Sequence, residues 1–153
     1  MFHVARDRTM PYPSETVWRC LIDFPNVPTW EDGVLEVRQT SEGAPGVGTT
    51  LVARRVYAGR ESLVDCRIVD WQEGLSVTMV IEGGPVRSAT IRYAVEPSTL
   101  AVGGSVLTYT SDVALRGPLR LLTPLIRPVG RRLVDANLER LERRIAAGSP
   151  VTP

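Results

Sequence analysis

The residue pattern predicts an α+β fold in which one strongly curved antiparallel sheet of seven strands is closed over by a long C-terminal helix. Three features carry this expectation. Over most of positions 33–115 apolar and polar residues alternate with a period of two, the repeat of half-buried strands. Glycine- and proline-rich turns interrupt that repeat at short intervals, which leaves no room for crossover helices and makes the neighbours antiparallel. After Gly117 and Pro118 the repeat lengthens to that of a helix and holds to Gly148.

Residues 2–9 alternate loosely and are closed by Pro11 and Pro13, as an opening strand would be. Ser14 then serves as N-cap or first-turn residue and Glu15 suits the positive helix end. Val17, Trp18, Leu21 and Ile22 share one stripe, so 14–23 reads as an amphipathic helix. Pro25 and Pro28 forbid its continuation, leaving 25–31 a short second helix or irregular turn that ends at Trp30. Turn residues at 42–48, 58–60, 72–74, 83–85 and 97–104 mark off six further strands at 33–40, 49–57, 61–71, 75–82, 86–96 and 105–115. Their dry faces include Ala89, Ile91, Tyr93 and Val95 in one strand and Leu107, Tyr109 and Val113 in the next. In the final segment a stripe of Leu119, Leu122, Ile126, Val129 and Leu133 passes into Val134, Leu138, Leu141 and Ile145, with a sideways shift ascribed to kinks at Pro124 and Pro128. One helix over 118–147 would thus cross the sheet, followed by a frayed, Pro/Ser-containing tail at 148–153.

The 153 residues suit a single domain, 1–147, and 43% hydrophobic against 23% charged residues matches an average soluble protein. No apolar run approaches the ~18 residues of a membrane span, and positions 1–12 lack the apolar core of a signal peptide, so a cytoplasmic location is expected. Cys20 and Cys66 form no C-x-x-C pair and His3 is the single histidine. Free thiols and no metal site are therefore expected. All 18 basic residues are arginine, which removes any lysine Schiff base or lysine general base. The glycine groups match no phosphate cradle, and no cofactor is expected. Residues 116–147 carry +5 although the whole chain carries +1. A basic helix is compatible with anionic headgroups, an acidic protein or nucleic acid, but Glu139 and Arg143 already pair at i, i+4. Without interleaved aromatics nucleic acid is not expected as a partner.

A long helix cannot fill a strongly curved sheet, so a cavity is expected between the dry strand face and the helix stripe of Leu122, Ile126, Val129 and Leu133. Tyr93 and Tyr109 share the parity of apolar neighbours and point inward, where a buried phenol needs a partner, either a ligand oxygen or the backbone and water of an ordinary core. Arg54 and Arg55 have opposite parity, and Arg55 falls with Leu51, Ala53 and Tyr57 on the inner face, where it would hold an enolate or carboxylate. Cys66 is expected inward as a small lining residue with no histidine to activate it, and Asp65 and Arg67 outward as a solvated ion pair. Met79 would be an adaptable wall residue, or simply core.

The stretch Pro13-Ser14-Glu15-Thr16-Val17-Trp18, then Asp23-Phe24-Pro25, Pro28-Thr29-Trp30 and Gly33-Val34, resembles the entrance of the START-like, or Bet v 1-like, helix-grip superfamily. Gly46-Val47-Gly48-Thr49 and Tyr93-Ala94-Val95-Glu96-Pro97 extend the likeness. Gly117-Pro118-Leu119 through Pro124-Leu125, with Arg131-Arg132 and Asn137-Leu138-Glu139-Arg140-Leu141, is similar to the last helix of its polyketide cyclase/dehydrase and lipid-transport branch. The resemblance covers about residues 3 to 145 and rests on caps, turns and core aromatics, which speak for the fold rather than the chemistry. It implies a cavity for a hydrophobic small molecule of lipid or polyketide type, with Trp30 at the mouth. The expected role is binding of such a molecule, oriented by Tyr57, Tyr93, Tyr109 and Arg55. The alternative is a cofactor-free cyclase, aromatase or dehydratase working by general acid/base catalysis. Stable membrane insertion is not expected, and a homodimer is left open.

Overall fold

The computed structural model describes residues 1–148, and the expected tail from 149 onward lies outside the described residues. The strands are β1 (Phe2–Met10), β2 (Val34–Gln39), β3 (Thr50–Tyr57), β4 (Arg60–Gln72), β5 (Ser76–Gly83), β6 (Val86–Pro97) and β7 (Ser105–Leu115). They form one antiparallel sheet in the order β1-β7-β6-β5-β4-β3-β2. Consecutive hairpins explain every neighbour except β1, which returns to the far edge beside β7. Register shifts interrupt the ladders between Ile68 and Asp70, Ile81 and Gly83, and Val86 and Ser88, and such bulges bend a sheet locally.

Helix α1 (Ser14–Leu21) starts behind Pro13, with Ser14 in its first turn and no side-chain cap. Its buried stripe, Val17, Trp18, Cys20 and Leu21, packs under the sheet. The segment Phe24–Thr29 is a 3₁₀ helix with prolines at positions 25 and 28. Gly33 ends the connection at φ +81°, and its carbonyl accepts from the Val56 N–H at 2.7 Å. A Cβ there would stand 3.2 Å from the Val56 carbonyl oxygen, so both the conformation and the close approach to β3 call for glycine.

After a 3₁₀ turn at Gly117–Leu122, helix α2 (Thr123–Ala146) runs without interruption. Pro124 lies in its first turn, where a missing N–H leaves no bond unmade, and Pro128 lies inside. The buried face of α2 is Val134, Asn137, Leu138, Leu141 and Ile145, resting on β1 and α1. Two ion pairs flank its contact with β1. Arg6 donates through Nε to Asp135 Oδ1 at 2.7 Å and through Nη2 to Oδ2, and Arg8 donates to Glu142 at 2.9 Å.

The Arg6 guanidinium, mainly through its hydrogen bond, holds the Asp135 carboxyl below its ordinary value. A carboxylate lowered in the folded state contributes stability above its unfolded pKa and loses it as the pH falls through the folded value. Asp135→Asn is therefore expected to lower the melting temperature at pH 7 by a few degrees at most, because the pair is half-exposed. The gap from wild type should close when melting is followed below pH 3.8, the carboxyl's ordinary value. A gap unchanged across that range would remove the electrostatic role.

Candidate functional site

The inner face of β2 to β6, together with α1 and the 3₁₀ segment, encloses a cavity of about 60 Å³. Its walls are mostly apolar, with Phe24, Val27, Val34, Leu51, Ile81 and Ile91 among them. The enclosed space is well below the ~300 Å³ at which small-molecule pockets usually begin. The sheet and helices thus grip almost closed.

One corner is polar. Arg55 points inward and its Nη2 lies 3.1 Å from Glu31 Oε2, with both side chains about one-sixth exposed (16% and 17%). Burial, the largest influence, works against the Arg55 charge. Glu31 and the oxygens of Tyr57, Tyr93 and Tyr109 outweigh it, so the guanidinium is held above its ordinary pKa. Trp30, Tyr93 and Tyr109 form a string of edge-to-face rings, with centroids 6.1 Å and 5.2 Å apart. Burial raises both phenols, Tyr109 to about 12 against the opposing Ser111 hydroxyl and Tyr93 well above its ordinary value, so both stay protonated donors at neutral pH. The Trp30 indole Nε1 is buried with no hydrogen-bond partner among the described residues. An orphaned donor of this kind costs roughly 1–3 kcal/mol.

Five of the residues singled out from sequence meet at the cavity: Trp30, Arg55, Cys66, Met79 and Tyr93. Cys66 is an inert wall residue whose thiol is 3.4 Å from the Met79 thioether and pushed up to about 12 by burial. Tyr57 and Tyr109, also expected to orient a ligand, lie outside the cavity lining: Tyr109 stands behind Tyr93, and Tyr57 is half-buried with the Arg55 guanidinium carbon 5.9 Å from its ring centre. The expected helix wall is corrected: Leu122, Ile126, Val129 and Leu133 lie outside the cavity lining, and Leu122, Val129 and Leu133 are exposed. At 3.6 residues per turn their stripe is displaced by roughly a third of a turn from Val134, Leu138, Leu141 and Ile145. An uninterrupted α2 can turn only one of the two toward the sheet. Asp65 and Arg67 are exposed as expected, but no ion pair joins them; Arg54 instead pairs with Glu36 and Glu61.

Glu31 is the residue that sequence reading missed. It follows Trp30 directly, but nothing local says that the turn behind the 3₁₀ helix folds back on β3. Two contacts hold it there: the Gly33–Val56 bond, and Asn137 of α2, whose buried Oδ1 accepts the Asp32 N–H at 3.0 Å.

A family model described as polyketide cyclase/dehydrase and lipid transport matches residues 1–146. The chain belongs to that family. No curated protein matches the sequence. Among solved structures, TTHA0849 from Thermus thermophilus is similar over 97% of this chain and all of its own, at 20% identity and a TM-score of 0.77. A START superfamily protein from Mycobacterium smegmatis is similar over 94% of this chain and 93% of its own (16% identity, TM-score 0.71). The Zhui aromatase/cyclase from Streptomyces sp. R1128 is similar over 94% and 95% (19% identity, TM-score 0.71). These likenesses establish the START/Bet v 1-like helix-grip fold for this family member. No helix among its described residues is long and apolar enough to cross a membrane.

Breaking a buried ion pair strands the remaining charge. Arg55→Met and Glu31→Leu are each expected to cost about 2–4 kcal/mol in urea unfolding, and the double variant clearly less than their sum. Strict additivity would show that the two do not interact. For Cys66, a pKa near 12 leaves roughly one thiolate in ten thousand at pH 8. Native protein should react with a thiol reagent far more slowly at this position than protein unfolded in urea, and equal rates would contradict its burial.

Proposed function

We propose that this protein binds a hydrophobic small molecule of lipid or polyketide type in the cavity between α1, the 3₁₀ segment and the sheet, with the oxygen-bearing end of the ligand against Arg55, Tyr93 and Trp30. The observation that carries this reading is the concentration of donors in one corner of an otherwise apolar chamber. Trp30, whose Nε1 has no partner, also lines the cavity, so an acceptor bound beside the ring would be able to satisfy that donor. Arg55 remains charged and Tyr93 protonated, so both offer hydrogens to a carbonyl or carboxylate. Most of the affinity would come from apolar contact, at roughly 25 cal/mol per Å² before the costs of association.

A cavity of about 60 Å³ is too small for such a molecule without movement of its walls. Met79, unbranched and only partly buried, is the most adaptable wall residue. Binding is therefore coupled to opening of the grip, and affinity is lowered by the cost of that opening. Native mass spectrometry of the freshly purified protein, set against the denatured protein, reveals a carried ligand. Titration with a fatty acid and with the matching alkane-chain fluorophore lacking the carboxylate then tests the polar corner. Tyr93→Phe should weaken the acid about three- to tenfold, the worth of one hydrogen bond, and leave the apolar probe unchanged. Equal affinity of wild type and variant for the acid would overturn the assignment.

A second reading rests on the same corner. A cation and a protonated phenol on one wall would stabilise the enolate of a polyketone, and one protein that shares this fold is named an aromatase/cyclase. Turnover of a polyketone by the wild type, lost in Tyr93→Phe while ligand affinity persists, would favour this enzymatic reading over carriage.

A further inference from the structure

The N-terminal part of α2 and the turn before it bury little of their apolar surface. Leu121, Leu125 and Val129, spaced i, i+4, i+8, are 75%, 72% and 61% exposed, and Leu122 and Leu133 beside them are also exposed. Between Arg116 and Val134 the sequence holds five arginines (Arg116, Arg120, Arg127, Arg131 and Arg132) and no acidic residue. All five are exposed, and among the described residues none forms an ion pair. This contrasts with the second half of α2, where Asp135, Glu139 and Glu142 each pair with an arginine.

From these exposed leucines and unpaired arginines we infer that residues 116–133 dock the protein on the surface of an anionic phospholipid bilayer. The two halves of the patch ask for different things. Exposed leucines are stabilised by leaving water, and unpaired arginines by meeting anions. A bilayer with anionic headgroups answers both: the leucines enter the headgroup boundary, Arg132 beside them reaches phosphates, and the arginines on the other side of the helix, Arg127 and Arg131, are drawn by the negative potential of the surface. A second copy of the chain satisfies the leucines but leaves the five arginines without a counter-charge, because Arg127 and Arg131 lie on the other side of the helix from the stripe. The patch lies where such docking would matter. The Arg116 N–H donates to the Pro85 carbonyl in the β5–β6 turn at 2.9 Å. Consecutive antiparallel hairpins place the ends of β3, β5 and β7 together, so the patch shares its end of the sheet with Arg55 and Glu31.

The test is co-sedimentation of the full chain with vesicles of phosphatidylcholine alone and of phosphatidylcholine with 30% phosphatidylglycerol, at 0.1 M and 0.5 M NaCl. Binding to the anionic vesicles in 0.1 M salt is expected, at least tenfold above neutral ones. It should be mostly lost at 0.5 M, where the Debye length shrinks to about 4 Å. Arg127→Glu/Arg131→Glu and Leu125→Glu/Val129→Glu should each reduce it tenfold or more, since a single basic side chain near such a surface is worth about a fivefold change in partition. These side chains are exposed, so thermal melting should be unchanged, and fatty-acid titration in vesicle-free buffer should be too. That titration separates failure of this inference from failure of the cavity reading. The inference is overturned by absence of vesicle binding at 0.1 M, or by variants that bind as wild type does. A concentration-dependent dimer broken by Leu125→Glu/Val129→Glu, or capture by an acidic polypeptide with vesicles ignored, would overturn it as well.

Discussion

A continuous helix can turn only one side toward a sheet, and α2 carries two apolar stripes that do not coincide. Its rotation is settled by Val134, Leu138, Leu141 and Ile145 going into the core, with Arg6–Asp135 and Arg8–Glu142 pinning the outer edge to β1. Three consequences follow from that one choice. The stripe Leu122, Val129 and Leu133 is left in solvent, the cavity takes its second wall from α1 and the 3₁₀ segment, and Asn137 faces the Asp32 turn. The helix thus reaches the cavity indirectly, by holding the turn that carries Glu31.

Within the cavity, charge is tolerated only because it is compensated. Arg55 and Glu31 lie in an apolar wall where either alone would be costly, and Trp30 and Tyr93 line the same cavity, with Tyr109 packed behind Tyr93. The raised phenols and the Arg55 guanidinium present hydrogens here, beside the Glu31 carboxylate that Arg55 already engages. Under the proposed function such a corner would orient an oxygenated guest, and the same contacts would polarise a carbonyl, which is why binding and enolate chemistry are neighbouring proposals for one geometry. The near-closure of the grip ties either reading to movement of the walls.

Strand alternation made the inward direction of Arg55, Cys66, Tyr93 and Tyr109 legible, because a period of two leaves a side chain only two faces to choose between. The prolines at 25 and 28 likewise marked the short 3₁₀ segment, whose distorted backbone needs no tertiary partner to be expected. Glu31 was not legible. Its placement depends on Gly33 meeting Val56 and on Asn137 reaching Asp32 across more than a hundred residues, and no local pattern encodes contacts of that range.

The order of elements, the seven-strand antiparallel sheet and the dry face of each strand are written in the residue pattern, since periodicity and turn residues act over a few positions. So is the family likeness, which lies in caps, turns and core aromatics. Which stripe of α2 is buried, how little room the grip leaves and where Arg55 finds its counter-ion emerge from the packed fold alone. Those outcomes come from competition between distant surfaces for the same contacts, and a helix stripe looks equally apolar whether the fold buries it or leaves it in water.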